Sequence, residues 1–400
     1  MASSEWAKTS LGRLLALEYG ASLREPQRSG SGYPVFGSNG EVGRHSCYLV
    51  EGPGIVVGRK GSVGQVTWSD SAFWPIDTSY YVRTLGDCDL RWCYWLLQSL
   101  ELHRLDSSTG VPGLNRNDAY RQAVEKPPQP EQRAIAGILD AADEAIERTE
   151  ALIGKLKAIK AGLLYDLLTR GLDANGQLRD PAKRPGDFQD TPLGLRPKQW
   201  TLQRLGQMCG LLNGIAFKPT DWTRTGLPII RIQNLNRGEE FNYYDGVVAD
   251  KYYIDPGTLL FSWSGNRGTS FGPFIWPGPR GILNQHIFKV TPKEGIRTLW
   301  FYYALDDVRQ RVERVAHGGS GLVHIRRPDL CEYLVATPEE DEQERIEKAI
   351  ATHDDRIRSE EVYLGKLRSI KKGLMQDLLS GRVRVTQKAE AKEQQHAVQG

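Results

Sequence analysis

Residues 131–171 read EQRAIAGILDAADEAIERTEALIGKLKAIKAGLLYDLLTRG, and residues 342–382 read EQERIEKAIATHDDRIRSEEVYLGKLRSIKKGLMQDLLSGR. The two align without a gap at an offset of 211, and ten of the fifteen positions from Gly154 to Leu168 are identical. Two unrelated amphipathic helices share hydrophobic spacing, but they do not share GKL, IK, GL and DLL in one register. The segments are therefore duplicates. Ile135, Leu139, Ala142, Ile146, Thr149, Ile153, Leu156, Lys160, Leu163 and Leu167 follow alternating steps of four and three, and Ile346 to Leu378 repeat the pattern. That is the seam of a coiled coil. Pro127, Pro128 and Pro130 precede one copy and Pro338 the other, where a missing N–H is harmless. Some 40 residues at about 1.5 Å each predict a rod of roughly 60 Å. Lys160 and Lys371 are unusual in such a seam: either their stems pack while their amines reach water, or they face a partner.

The duplication runs back into the flanking sequence. Trp6 to Gly12 matches Trp200 to Gly206 at an offset of 194, and Gly20 matches Gly214. Toward the other end Gly110, Arg116, Asp118, Val124 and Pro127 match Gly321, Arg327, Asp329, Val335 and Pro338 at 211. The order is domain, helix, domain, helix, and the halves differ most in the middle of each domain. We divide the chain into a domain over 1–127, a helix over 128–172, a linker over 173–198, a second domain over 199–337, a second helix over 338–383 and a disordered tail over 384–400. Tyr48–Val57, Ser79–Val82, Leu227–Ile232, Gly257–Trp263 and Ile282–Val290 read as strands, and Leu90–Leu105 and Arg297–Val315 as helices. The expected class is α+β: two globular domains separated by two long helices with a coiled-coil seam, with a pseudo-two-fold internal repeat.

Composition narrows the functional classes. Four hundred residues favour more than one core. No apolar run approaches a membrane span, and the N-terminus has no secretory pattern, so a cytoplasmic protein without a membrane role is expected. Five cysteines, Cys47, Cys88, Cys93, Cys209 and Cys331, are scattered and form no C-x-x-C pair, which argues against a disulfide framework. His45, Cys47, Cys88 and Cys93 lack the close ligand pairs of a zinc site, so no metal is expected. The net charge is +3. Residues 1–127 carry 13 basic and 13 acidic side chains, and residues 199–336 carry 16 and 12. Composition alone does not point to nucleic acid.

There is no G-x-x-x-x-G-K-[ST] loop, no H-E-x-x-H pair and no N-P-P-Y or D-P-P-Y run. Pro328, Asp329 and Glu332 match part of a nuclease carboxylate cluster, but Leu334 stands where its lysine belongs. We therefore expect no catalytic residues and no cofactor.

Tandem unlike domains, each followed by a near-identical helix that begins with E-Q after a proline and ends in K-x-G-L-x-x-D-L-L, resemble the specificity subunits of Type I restriction-modification systems. Tyr33–Gly40 (YPVFGSNG), Gly58–Gly64 (GRKGSVG) and Thr109–Asn115 (TGVPGLN) carry the resemblance within the first domain. It covers nearly the whole chain. It implies target-recognition domains that each read one half of a split, asymmetric site on double-stranded DNA, and helices that form an antiparallel coiled coil and fix the half-site spacing. It also implies docking of two methylation subunits and, through them, restriction and translocase subunits, with methyl transfer and cleavage residing in those partners. A rod between two readers suits grooves that recur about every 10 bp, and two near-identical helices suit two identical partners. The alternative is a protein-interaction scaffold with two unlike binding domains.

Candidate DNA-binding residues follow from the loops. In Gly58–Gly64 the backbone amides, Arg59, Lys60 and Ser62 make a phosphate cradle, or else a hairpin turn with solvated charges. Ser38 and Asn39 occupy a Gly-flanked loop with Arg44 beyond it; Asn39 suits an adenine edge and equally a turn. In the second domain Arg231, Gln233, Asn234 and Asn236 alternate along an expected strand end. Trp263, Ser264, Asn266 and Arg267 form the counterpart of the GRKGSVG loop. Asn284 and Gln285 suit base contacts, His286 suits a structural role as well, and His317–Ser320 reads as a flexible loop. The helix residues expected to dock partners are Leu156, Ile159, Leu163, Leu167, Leu367, Ile370, Leu374 and Leu378.

Overall fold

The structure, a computed structural model, describes residues 6–105, 113–236, 238, 240–315 and 321–385. The expected disordered tail from residue 386 onward, the turn residues 109–112 and the His317–Ser320 loop lie outside the described residues. The chain forms two compact units, Met1–Leu152 with Glu360–Gly400 (unit 1) and Ile153–Ser359 (unit 2). The long helices Gln129–Thr169 and Glu340–Leu379 each give one half to each unit.

Inside unit 1 the helices run antiparallel: Lys371 pairs with Asp143, and the earlier Arg368 pairs with the later Glu150. In unit 2 Lys160 pairs with Asp354, while Leu167 packs in one core with Ile346 and Ile350. The apolar seam is buried, with Ile135, Leu139, Ile146 and Ile153 on one helix and Ile346, Ile350, Ile357 and Leu364 on the other. Each fully buried aliphatic side chain contributes roughly 1.5–3 kcal/mol. The seam lysines find intramolecular partners. Their amines are bonded to carboxylates on the opposite long helix, which offsets the cost of placing a cation in a seam.

Both units are built on the same sheet. Unit 1 has β1 (Leu15–Tyr19), β2 (Gly54–Gly58), β3 (Val66–Ser69) and β4 (Ser79–Thr84); unit 2 has β5 (Cys209–Asn213), β6 (Leu259–Ser262), β7 (Gly272–Ile275) and β8 (Ile287–Pro292). The orders are β1-β4-β2-β3 and β5-β8-β6-β7, antiparallel throughout. A second sheet in each unit centres on Tyr33–Gly37 or Leu227–Ile230, each with one parallel partner, Trp74–Pro75 or Gly281–Leu283. A two-stranded ribbon then ties the start of each domain to its end: Ala7–Ser10 with Ala123–Lys126, and Thr201–Arg204 with Leu334–Thr337. Helix Leu90–Ser99 inserts Trp92 and Trp95 into one core, and Thr298–Val315 inserts Trp300 and Phe301 into the other.

Four expected strands are shorter than read, Gly257–Trp263 keeping only Leu259–Ser262. Tyr48–Val57 becomes strand only at Gly54. Ile282–Val290 is interrupted between Leu283 and Ile287, where His286 takes a left-handed conformation, φ 71°. Leu227–Ile232 ends at Ile230, because the buried Asn234 side chain accepts the Arg231 N–H at 3.0 Å and turns Ile232–Leu235 into a helical turn. Arg231, Gln233, Asn234 and Asn236 therefore do not alternate along a strand.

The E-Q pair that opens each long helix is a clamp. Glu131 accepts from Trp6 Nε1 at 3.0 Å, from Arg384 Nη2 at 2.7 Å and from the Val385 N–H at 3.1 Å. Glu342 accepts likewise from Trp200 Nε1 at 3.2 Å, from Arg179 Nη2 at 3.0 Å and from the Leu172 N–H at 2.9 Å. The following glutamines, Gln132 and Gln343, accept the N–H of Asp89 and Arg297 and donate to the carbonyls of Pro127 and Pro338. The buried Glu and Gln of this pair thus have hydrogen-bond partners in both copies.

Candidate functional site

The loop after β2 and the loop after β6 occupy one topological position. The Arg59 N–H donates to Thr78 O at 2.9 Å, and Leu114 N–H donates to Arg59 O at 2.8 Å. In unit 2 the Trp263 N–H donates to His286 O at 3.1 Å, and Ile325 N–H to Trp263 O at 3.0 Å. These matched bonds make Arg59 the equivalent of Trp263. Strand registers extend the match: Tyr19 faces Tyr80 across β1 and β4, as Asn213 faces Phe288 across β5 and β8. The scaffold is shared and the chemistry is not.

In unit 1 the Arg59 guanidinium lies 4.8 Å from the Tyr19 ring centre and 5.9 Å from Tyr80, with Nη1 donating to Asp77 O at 2.8 Å. Arg116 lies over the same Tyr19 ring at 4.9 Å. With Lys60, Asn115 and Asn117 they line a cleft of about 520 Å³. Among the described residues no carboxylate lines it, and none pairs with Arg59, Lys60 or Arg116. Burial and the adjacent Tyr19 hydroxyl raise the Tyr80 phenol against the pull of Arg59 and Arg116, so it stays neutral and donates to Leu114 O at 3.1 Å. The hairpin tip carrying Ser38 and Asn39 leans on this loop, with Ser38 O so near Gly58 that a Cβ there would meet it at 2.7 Å.

The backbone cradle read into GRKGSVG is not formed. The amides of Gly58, Arg59, Lys60, Val63 and Gly64 donate to carbonyls of Gln65, Thr78, Thr78, Gly61 and Gly58, which leaves side-chain cations as the loop's main offer to an anion. Arg44 is bound to Glu41 and to Gly32 O.

In unit 2 the Trp263 indole is ringed by His286, Phe288 and His324 at 4.8, 5.8 and 4.9 Å between ring centres, and its Nε1 donates to Asn213 Oδ1 at 3.0 Å. Ser264 and Asn266 lie on a short strand paired with Leu322–His324, and the Arg267 N–H donates to Gly321 O. Asn284 and Gln285 sit in the interrupted loop before β8, anchored through their amides to Ile230 O and Ile215 O. Asn284 Oδ1 and His286 Nδ1 are shielded and meet no partner among the described residues. Arg231 bonds Asn242 and lies 5.2 Å from the Trp222 ring centre, and Gln233 and Asn236 are exposed. Asn234 is withdrawn: its amide nitrogen donates to Gly238 O and Glu240 O.

Sequence reasoning missed Tyr19, Tyr80, Arg116, Asn213, Phe288 and His324. The offsets of 194 and 211 pair Tyr19 with Asn213 and Arg116 with Arg327, which was the available signal. On the helices, Leu167 and Leu378 are buried in their own units' cores and cannot meet a partner; Leu156, Leu163, Leu367 and Leu374 are half-buried, and Ile159 and Ile370 stay exposed at 45% and 54%. Asp329 and Glu332 are held in exposed ion pairs with Arg326 and Arg204. Among the described residues no cluster of three His, Cys, Asp or Glu is placed to hold a metal, and no helix is long and apolar enough to cross a membrane.

Residues 3–158 and 197–367 match the family described as Type I restriction modification DNA specificity domain. The chain belongs to that family. Two matched stretches, one per half, agree with the internal repeat of this specificity-domain chain. It is 26% identical over 188 residues to the Type I restriction enzyme EcoBI specificity subunit of Escherichia coli, covering 46% of this chain and 38% of that one. It is 22% identical over 291 residues to the MjaVIII specificity subunit of Methanocaldococcus jannaschii, covering 69% and 66%. The match thus spans less than two thirds of these relatives' lengths. Among solved structures, the S subunit of a Type I restriction-modification system from M. genitalium superposes with a TM-score of 0.60 at 19% identity, over 95% of this chain and 97% of that one. That likeness concerns the fold, α+β with an internal repeat and long helices.

Proposed function

We propose that this chain is the non-catalytic DNA-recognition subunit of a Type I restriction-modification complex. Its domains over 1–127 and 199–337 read the two halves of a split, asymmetric target on double-stranded DNA. The helices over 128–172 and 338–383 receive two methylation subunits and, through them, the restriction and translocase subunits, in the cytoplasm. One observation carries the reading: two copies of one scaffold present Arg59 and Trp263 at the same position. Duplicated scaffolds with unlike side chains at one half-buried place suit contact with two unlike half-sites.

The near-neutral net charge of +3 fits a subunit that binds DNA weakly alone and tightly once partners add phosphate contacts. The test is co-expression with a methylation subunit, followed by mapping of methylated bases across the host genome. One asymmetric split motif with a fixed gap is expected. A stable complex that methylates nothing would favour a protein-binding scaffold.

A further inference from the structure

The equivalent clefts divide the work of DNA binding unequally. The unit 1 cleft holds three cations, Arg59, Lys60 and Arg116, with no carboxylate among its described lining. Two of them are stacked on one tyrosine ring, which restricts their rotamers before any ligand arrives. At the positions of Arg59 and Lys60, unit 2 carries Trp263 and Ser264, and the ring of Tyr19 is replaced by the Asn213 amide. Only Arg116 keeps a cationic counterpart, Arg327.

A planar guanidinium fork with an ammonium beside it suits a phosphodiester, and an indole with imidazoles and an amide suits base faces and edges rather than charge. Resting on the reading of the chain as a DNA-recognition subunit, we propose that the Arg59–Lys60–Arg116 cleft clamps a backbone phosphate of duplex DNA. The Trp263 cluster then contributes base contact with little phosphate neutralisation. The two half-sites consequently differ in ionic character.

The experiment measures the affinity of the assembled methylation complex for its target duplex from about 50 to 300 mM KCl. Each phosphate neutralised by the protein adds roughly 0.9 to the negative slope of log K against log salt. Arg59→Gln with Lys60→Gln is expected to flatten that slope by about one, the share of the one clamped phosphate. Trp263→Leu is expected to weaken binding at every salt concentration with the slope unaltered.

Folding is removed as an explanation by modifying the DNA instead. Neutral methylphosphonates placed singly along both half-sites are expected to include one position that weakens the wild-type complex and not the Arg59→Gln, Lys60→Gln complex. Equal slopes for all three proteins, or no such position, would overturn the proposal while leaving DNA recognition intact. Absence of any sequence-selective binding by the wild-type complex would instead overturn the reading on which it rests.

Discussion

Lys160 on the first long helix is bonded to Asp354 on the second, and the same two residue types, each displaced by 211 positions, meet again as Lys371 and Asp143. Each pair is partly buried beside an aromatic ring, Lys160 over Tyr303 and Lys371 over Trp95. A cation in an apolar seam tolerates only the register that delivers its carboxylate, so the two pairs act as a register lock. A double-mutant cycle with Lys160→Met and Asp354→Leu is expected to show a coupling of about 1–2 kcal/mol in urea unfolding of the full chain. Strictly additive losses would remove the register role.

The clamp on Glu342 lies deeper than the lysine pairs. Its side chain is 5% exposed and that of Arg179 11%, and it also accepts from Trp200 and from the Leu172 N–H. Glu342→Ala leaves the indole N–H of Trp200 without a partner and the buried Arg179 guanidinium without its counter-charge, held only by Arg170 O and Gln199 Oε1. A loss of about 3–5 kcal/mol is expected by denaturant titration. Arg179→Met retains the packing of the arginine stem but strands the carboxylate, and is expected to cost a comparable amount.

Gly214 is held by contact, since it has no need of an unusual φ. A Cβ there would meet Asn284 O at 2.1 Å and Leu283 O at 2.5 Å, and its counterpart Gly20 faces Ile76 O and Pro75 O just as closely. Gly214→Ala must push away the loop that carries Asn284 and His286, and is expected to cost about 1–3 kcal/mol and to lower DNA affinity of the complex. Gly210→Ala, in the strand that ends just before Gly214, meets Thr291 only at ordinary contact distance and serves as the control, with stability unchanged or slightly raised.

The repeat made the architecture legible before any coordinates, because a gapless identity at one offset cannot survive unless both copies fold alike. What escaped the sequence depended on contacts between distant segments. Glu131 and Gln132 read as an opening motif of a helix, yet the partners of Glu131, Trp6 and Arg384, lie toward opposite ends of the chain. Asn234 looked like a surface amide because its spacing suited a strand, and its own hydrogen bonds converted that strand into a turn. Arg59 was visible as a loop cation, whereas Tyr19, Tyr80 and Arg116 join it only through sheet pairing and a long return of the chain. The middle of each domain differs in loop length, so no single offset pairs Tyr80 with Phe288.

Acid should weaken unit 1 through Glu131. Burial alone would raise its carboxyl, but hydrogen bonds from Arg384, Trp6 and the Val385 N–H outweigh that and hold it below the usual glutamate range. A group depressed on folding stabilises the native state fully above its unfolded value, about 4.3, and that contribution fades as pH falls through the lower folded value. Glu131→Gln is isosteric and cannot ionise, so it lacks this contribution at every pH. The wild type is therefore expected to be the more stable protein near pH 7, with the gap unchanged down to about pH 5 and closing progressively below about pH 4. Urea midpoints of the two proteins across pH 3–7 measure this directly. A gap that stays constant through the acid range would mean that the clamp works by shape and hydrogen bonding alone, with no role for its charge.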